Sequence, residues 1–350
     1  MKSSSLGVGI FLMALCLAIA CGGGGDSKAV DADPGCVGSE NACGGCELLS
    51  GSVGDPCGVC DTGTFACDGQ DGLVCAGDEG AAAMNACGGC TELDTTTLED
   101  ACGRCDLGAI ECDGTDAIAC TEPPAPTACV SLPADALSWW KAEADASDTL
   151  GNANGTLVAG AEIVTGFVGN AFSLDTLESV SFGNITNFDF TAAPFTVEGW
   201  IRHSQLPVDP GIAGCGPHFP LFTNDAWGWT LSVGETGTVS FSKYTDFNGG
   251  ESVTSEALIS LDRWHHVAGA ISDTEIRVYL DGRLAGVKTL ESTTVFYNTG
   301  DTPSMGNREC GAGIIHVLGE LDEFAIYSRA LSTAEIQSVC EADSFGKCAP

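Results

Sequence analysis

The chain is 350 residues long, and 48 Asp and Glu against 13 Lys and Arg leave a formal net charge of −35 at pH 7. That balance argues against nucleic-acid binding, which needs a basic face, and disfavours any polyanionic partner. The 20 cysteines are too many for a reducing cytosol unless most hold metal, so they point to an exported, disulfide-bonded protein.

Met1, Lys2 and three serines lead into an almost wholly apolar run from Leu6 to Ala20. The run is too short to span a bilayer as a stable anchor and has the length of a signal-peptide core. Leu17-Ala18-Ile19-Ala20-Cys21 resembles a bacterial lipobox, with a small residue before the cysteine. A signal peptide over 1–20 and acylation at Cys21 are therefore expected, so that the protein meets the membrane through a lipid anchor only. The alternative is a plain secretory signal that leaves Cys21 as a spare thiol. Gly22 after the cysteine favours, by the rule for such lipoproteins, the outer membrane or cell surface. Residues 21–35 read as a flexible Gly-rich tether.

Residues 36–129 form a tandem repeat. Cys43 and Cys46 of Asn41-Ala-Cys-Gly-Gly-Cys46 recur 44 residues later as Cys87 and Cys90, and Cys57, Cys60, Cys67 and Cys75 recur 45 later as Cys102, Cys105, Cys112 and Cys120. With Cys36 and Cys129 the stretch holds an even fourteen. Cys-x-x-Cys spacing also suits zinc, but the export signal and the acidic surround, which disfavours thiolates, favour disulfides within the stretch. Between residues 22 and 130 Phe65 is the sole aromatic and Lys28 and Arg104 the only bases, so closed loops must replace an apolar core. The predicted product is a stiff acidic stalk. The units resemble cysteine-rich repeats found beside binding domains in surface proteins of myxobacteria and their relatives.

From Val130 the pattern changes to short alternating strands with turns between them. Phe195-Thr-Val-Glu-Gly-Trp200-Ile201 alternates, and Ile276-Arg-Val-Tyr-Leu280 runs into the hairpin turn Asp281-Gly282. The one clear helix start is the capping box Ser332-Thr-Ala-Glu335. Residues 130–350 thus predict an all-β, two-sheet antiparallel jelly-roll sandwich with one short C-terminal helix. Cys340 and Cys348 are close enough in sequence to close a short loop, which leaves Cys215 for Cys310.

Seven blocks in this part occur in a recognisable order: Ser138-Trp-Trp-Lys-Ala-Glu143, Asp148 to Leu157, Gly169-Asn-Ala-Phe-Ser-Leu-Asp175, Phe195 to Trp200, Arg263-Trp-His-His-Val-Ala268, Val278-Tyr-Leu-Asp-Gly282 and Gly319 to Ser332. Together, over about residues 136–341, they resemble the laminin G-like family, related to pentraxins and concanavalin A-type lectins. The resemblance implies two curved antiparallel sheets and a non-catalytic binding role, commonly toward carbohydrate and often with a structural calcium ion. Fold alone does not fix the ligand.

Glu320-Leu-Asp322-Glu323 begins the acid motif of laminarinase-type glycosidases, but Phe324 and Ala325 stand where its last Glu belongs. His265 and His266 belong to a strand block, and His203, His218 and His316 are scattered. Plain alternation puts Asp322 on one strand face with Phe324 and Ile326, an acid pointing into the core. The family match brings the Glu143–Asn154 loop near it, so Glu143, Asp145, Asp148, Asn154 and Asp322 are the expected calcium ligands. The alternative is a carboxylate capped by backbone N–H groups without an ion. Trp227, Trp229, Tyr244 and His218 are the candidates for sugar stacking, although two tryptophans on one strand face also suit a core. The leading expectation is a surface lipoprotein that binds a glycan or surface protein. A carbohydrate-active enzyme and a purely structural envelope protein are the alternatives.

Overall fold

The computed structural model describes residues 39–93, 98, 101–183, 185–212, 215–224, 227–246, 249–297, 302–310 and 313–349. The expected signal peptide 1–20, Cys21, the 21–35 tether and Cys36 lie outside the described residues. The chain divides into two compact units, Met1–Met84 and Asn85–Pro350.

The first unit carries a small antiparallel sheet of Pro56–Cys57, Gly63–Cys67 and Leu73–Ala76, cross-linked by Cys43–Cys67 and Cys57–Cys75. In the second unit Ala101–Cys102, Gly108–Cys112 and Ile118–Thr121 repeat it, with Cys87–Cys112 and Cys102–Cys120. Asn41 Oδ1 accepts from the N–H groups of Cys43 and Gly45, and Asn85 Oδ1 does the same for Cys87 and Gly89. Each asparagine thereby folds its Cys-Gly-Gly-Cys segment into the same turn. Every cysteine among the described residues is disulfide-bonded.

The rest of the second unit is an all-β sandwich. One eight-stranded sheet runs Glu162–Thr165, Asn170–Leu174, Gly319–Tyr327, Phe195–Arg202, His265–Ile271, Glu275–Leu280 and Arg283–Thr289, with Ala136–Trp140 also paired to Gly319–Tyr327. The other, of seven strands, runs Gly249–Leu258, Thr238–Asp246, Trp229–Gly234, His218–Thr223, Ser304–Met305, Ser179–Ser181 and Thr156–Val158. Neighbours in both sheets are antiparallel. Inward residues at every second position, such as Val197, Leu231, Phe241 and Val278, meet in one apolar cluster. Helix Thr333–Glu341 starts at the expected capping box on Ser332. Its Ile336 packs with Trp139, Tyr279 and Tyr327 in a second cluster.

Two expectations are corrected. Alternation fails on Gly319–Tyr327, where the register against Phe195–Arg202 slips between Glu198 and Trp200. Glu323 takes φ 57°, and the bulge puts two residues opposite Gly199. A Cβ on Gly199 would lie 2.4 Å from the Phe324 ring, so only glycine accommodates that inward ring. Asp322 consequently pairs with Trp200 on the outer face while Phe324 enters the core. The second correction concerns sulfur. Cys340 and Cys348 do not join each other: Cys340 bonds Cys105 and Cys348 bonds Cys129, so the repeat cysteines do not pair solely among themselves. Lys347–Cys348 runs parallel to Val130–Ser131, which holds Cys348 beside Cys129 rather than beside the helix. Cys215 is bonded to Cys310.

Candidate functional site

The outer face of the eight-stranded sheet follows from the alternation of Phe195–Arg202: Phe195, Val197 and Ile201 go to the core, and Thr196, Glu198, Trp200 and Arg202 face away from it. Part of this face is closed by the helix and C-terminal tail. There Glu198, fully buried, accepts from Tyr327 Oη at 2.9 Å and Lys347 Nζ at 2.9 Å, and contacts His266 Nε2 at 3.0 Å. Lys347 also donates to the Glu323 carbonyl at 2.7 Å, and Trp139 Nε1 donates to Glu323 Oε2 at 3.0 Å. Burial would raise the Glu198 carboxyl, but the Lys347 ammonium and His266 outweigh it and hold it at about 2. These groups are committed to one another and bind the tail to the sheet.

Beyond them the face opens into a cleft of about 430 Å³, lined by Phe167, Trp200, Asp262, Arg263, Trp264, Asp281 and Asp343 and by Arg104, Cys105 and Glu122 of the second repeat. Trp200 is its buried floor, and half-buried Phe167 and Trp264 stand above it. The Phe167 ring lies 4.0 Å from that of Trp200 and 6.1 Å from that of Trp264, centroid to centroid. The Arg202 guanidinium covers Trp264 at 5.2 Å and is paired with Glu320. Asp281 accepts from the His266 N–H at 3.0 Å and meets His265 Nδ1 at 2.8 Å.

Asp322 lies beside Trp200 on the same outer face. Its Oδ2 accepts from the N–H groups of Phe167 and Val168 at 3.0 and 2.9 Å, and its Oδ1 has no partner. Gly166 lets the loop approach, since a Cβ there would lie 2.7 Å from Asp322 Oδ2. Burial pushes the Asp322 carboxyl up to about 8 and raises that of Glu323 as well. With Glu320 paired to Arg202, all three acids of the incomplete glycosidase motif serve the fold. Ser260, His265 and Asp281 stand in hydrogen-bonding order, with Ser260 Oγ 2.9 Å from His265 Nε2. That nitrogen also accepts the Ser260 backbone N–H at 3.0 Å, so the imidazole caps a turn.

The expected calcium ligands do not form one donor set. Asp148 accepts four backbone N–H bonds, from Trp139, Leu150, Asn152 and Ala153, at 2.8–3.0 Å. Asn154 Oδ1 accepts from Asp148 N, and Asp145 Oδ1 from Ser147 N. Glu143 lies against Gly169, and Asp322 is held by the 166–168 loop. Among the described residues no three His, Cys, Asp or Glu side chains converge as a metal site. The loop folds on its own N–H groups, so these residues do not fit a single calcium ion.

Of the expected sugar-stacking residues, Trp229 is a correction: it is fully buried in the core, its Nε1 donating to Phe188 O at 3.2 Å. Trp227 is half-buried, with its ring 5.2 Å from Tyr244, whose hydroxyl accepts from Arg308 at 2.9 Å. His218 pairs with Gly234 at the other end of its strand and contacts Gly216 O. The structure therefore does not bring the four together. Nothing local in the sequence joins the cleft residues Phe167, Trp200 and Trp264, which lie in three separated segments. The alternation Glu198-Trp200-Arg202 was the available signal, an aromatic between charges on a face the core does not use.

Residues 177–337 match the family described as the concanavalin A-like lectin/glucanases superfamily, which supports a laminin G-like domain in this part. No curated protein matches the chain. Solved structures with similar architecture include the binding domain of Paraclostridial Mosquitocidal Protein 1, at 20% identity and TM-score 0.48 over 59% of this chain and 52% of that one. Domain 4 of AbnA, a GH43 extracellular arabinanase from Geobacillus stearothermophilus solved with arabinotriose, has 18% identity and TM-score 0.45 over 58% and 97%. A structure of botulinum neurotoxin type C, whose cell entry depends on two ganglioside molecules, has 14% identity and TM-score 0.47 over 59% and 51%. This chain spans about half the length of the first and third.

Proposed function

We propose that the protein is a lipid-anchored binding module of the outer membrane or cell surface, and that its ligand is a saccharide held in the cleft over Trp200. The observation that carries this reading is the composition of the cleft: aromatic faces from Phe167, Trp200 and Trp264 beside the carboxylates of Glu122 and Asp262. Sugars present apolar C–H faces that stack on rings, together with hydroxyls that need donors and acceptors. No reaction is assigned, because the acids of the incomplete glycosidase motif are taken up by backbone, tryptophan and arginine partners. The lipobox-like segment supports the anchor, and intact mass of membrane-extracted protein should begin at Cys21 with added acyl mass.

A glycan array probed with the full chain tests the ligand. Trp264→Ala and Asp262→Asn should each reduce retention about tenfold or more, while Trp227→Ala should leave it unchanged. Loss with Trp227→Ala alone would move the site to the other sheet. Release of sugar during incubation would establish the enzyme reading, and no retention on any glycan would leave a structural role.

A further inference from the structure

Resting on the saccharide reading of the cleft, we infer that the second cysteine-rich repeat is one wall of the binding site and that the saccharide it selects carries free amino groups. The repeat contributes Arg104, Cys105 and Glu122 to the lining. Its position is set by two disulfides to the C-terminal segment, Cys105–Cys340 and Cys129–Cys348. Arginines of the sandwich hold it as well: Arg263 Nη2 donates to Gly103 O at 2.6 Å, and Arg283 donates to Asp106 O. The repeat is thus fixed against the sheet, and its side chains face whatever the cleft holds.

Charge decides the chemistry of the ligand. Four acids, Glu122, Asp262, Asp281 and Asp343, line the cleft against two arginines, Arg104 and Arg263. The arginines point toward the protein: Arg104 is paired with Asp343 and donates to the carbonyls of Pro123 and Pro124, and Arg263 is spent on Gly103. Asp281 is engaged by His265 and His266. Glu122 and Asp262 are both exposed, the Glu122 carboxylate resting on Gly103 and Asp262 lying within electrostatic reach of Arg202. An acidic cleft in a chain of net charge −35 draws cations and repels anions, and an ammonium is also attracted to the faces of the aromatic rings. A sugar ring with an apolar face and an ammonium group supplies both.

The test compares glucosamine oligomers with their N-acetylated counterparts, in which a neutral, bulkier acetamide replaces the ammonium, by calorimetry on the full chain. The glucosamine oligomer should bind about tenfold tighter, and its affinity should fall as salt is raised from about 50 to about 500 mM. Glu122→Gln, an exposed substitution, should weaken the glucosamine oligomer several-fold more than the N-acetylated one, while Trp264→Ala should weaken both. Equal affinity for the two oligomers, binding of neither, or no effect of Glu122→Gln would overturn the inference. Retention of a neutral glycan on the array, lost with Trp264→Ala, would then keep the cleft as a saccharide site without the amine. Indifference of all binding to Trp264→Ala would overturn the cleft reading itself.

Discussion

Asp322 is a buried acid through which pH should act on stability. Its carboxyl has an ordinary value of 3.8 and is pushed to about 8, by burial first and then by the neighbouring Glu323 charge, against the opposing pull of two backbone N–H bonds and Lys347. Below about pH 4 the acid is protonated in both folded and unfolded chains, and its ionisation costs nothing. As pH rises, the unfolded carboxyl ionises freely while the folded one resists. Stability is lost progressively up to about pH 8, above which both are ionised. Four powers of ten in proton affinity correspond to on the order of 5 kcal/mol. Asp322→Asn retains an oxygen for the N–H groups of Phe167 and Val168 and removes the titration. Urea unfolding of the oxidised protein, followed by tryptophan fluorescence between pH 4.5 and 8.5 (about the window between the two values), should show Asp322→Asn gaining stability on the wild type as pH rises, over the opposite trend that buried His203, held down at about 4, gives to both proteins. The variant should also be the more stable of the two at pH 8. A variant profile parallel to that of the wild type would refute the assignment.

Lys347→Met should destabilise by about 3–5 kcal/mol, because Lys347 Nζ lies 2.9 Å from the Glu198 carboxylate and 3.6 Å from that of Glu323 and its loss leaves both buried without their ammonium; a urea measurement giving less than about 1 kcal/mol would show the network to be incidental. Non-reducing peptide mapping should recover Cys105–Cys340, Cys129–Cys348 and Cys215–Cys310, and a Cys340–Cys348 peptide would contradict the way the tail is held. Melting curves in calcium and in chelator should coincide, since binding restricted to the folded state would raise the melting temperature; a rise abolished by Asp148→Ala would reinstate the ion.

Strand alternation was enough to read the sandwich, because a sheet with one buried face writes its period into Phe195–Ile201 and Ile276–Leu280. The capping box at Ser332 was equally plain, since its two hydrogen bonds are local. What the sequence hid was the bulge at Glu323. One extra residue moved Asp322 from the expected core to the outer face, and nothing in Glu320-Leu-Asp-Glu-Phe324 marks the slip except Gly199 on the neighbouring strand. The tryptophans misled for a related reason. Trp227 and Trp229 look like a platform because they are close in sequence, whereas Phe167, Trp200 and Trp264 come from three separated segments that only the folded sheet brings together. Disulfide partners 235 and 219 residues apart cannot be chosen from spacing, which always favours the near pair.

Those two distant bonds change what the repeats are for. A stalk needs to resist extension and proteolysis, and bonds within each repeat achieve that. Cys105–Cys340 and Cys129–Cys348 add something a stalk does not require, which is a fixed orientation of the second repeat over one end of the sheet. The positive φ of Cys105 and Asp106, 49° and 53°, turns the backbone there, and the Asp106 carbonyl accepts from Arg283. Residues set in this way lose little freedom when a ligand arrives, so more of the contact energy appears as affinity. The corresponding residues of the first repeat, Cys60 and Asp61, take the same conformation at φ 55° and 56°. The turn is therefore a property of the repeat sequence, and in the second copy it is used to present a wall.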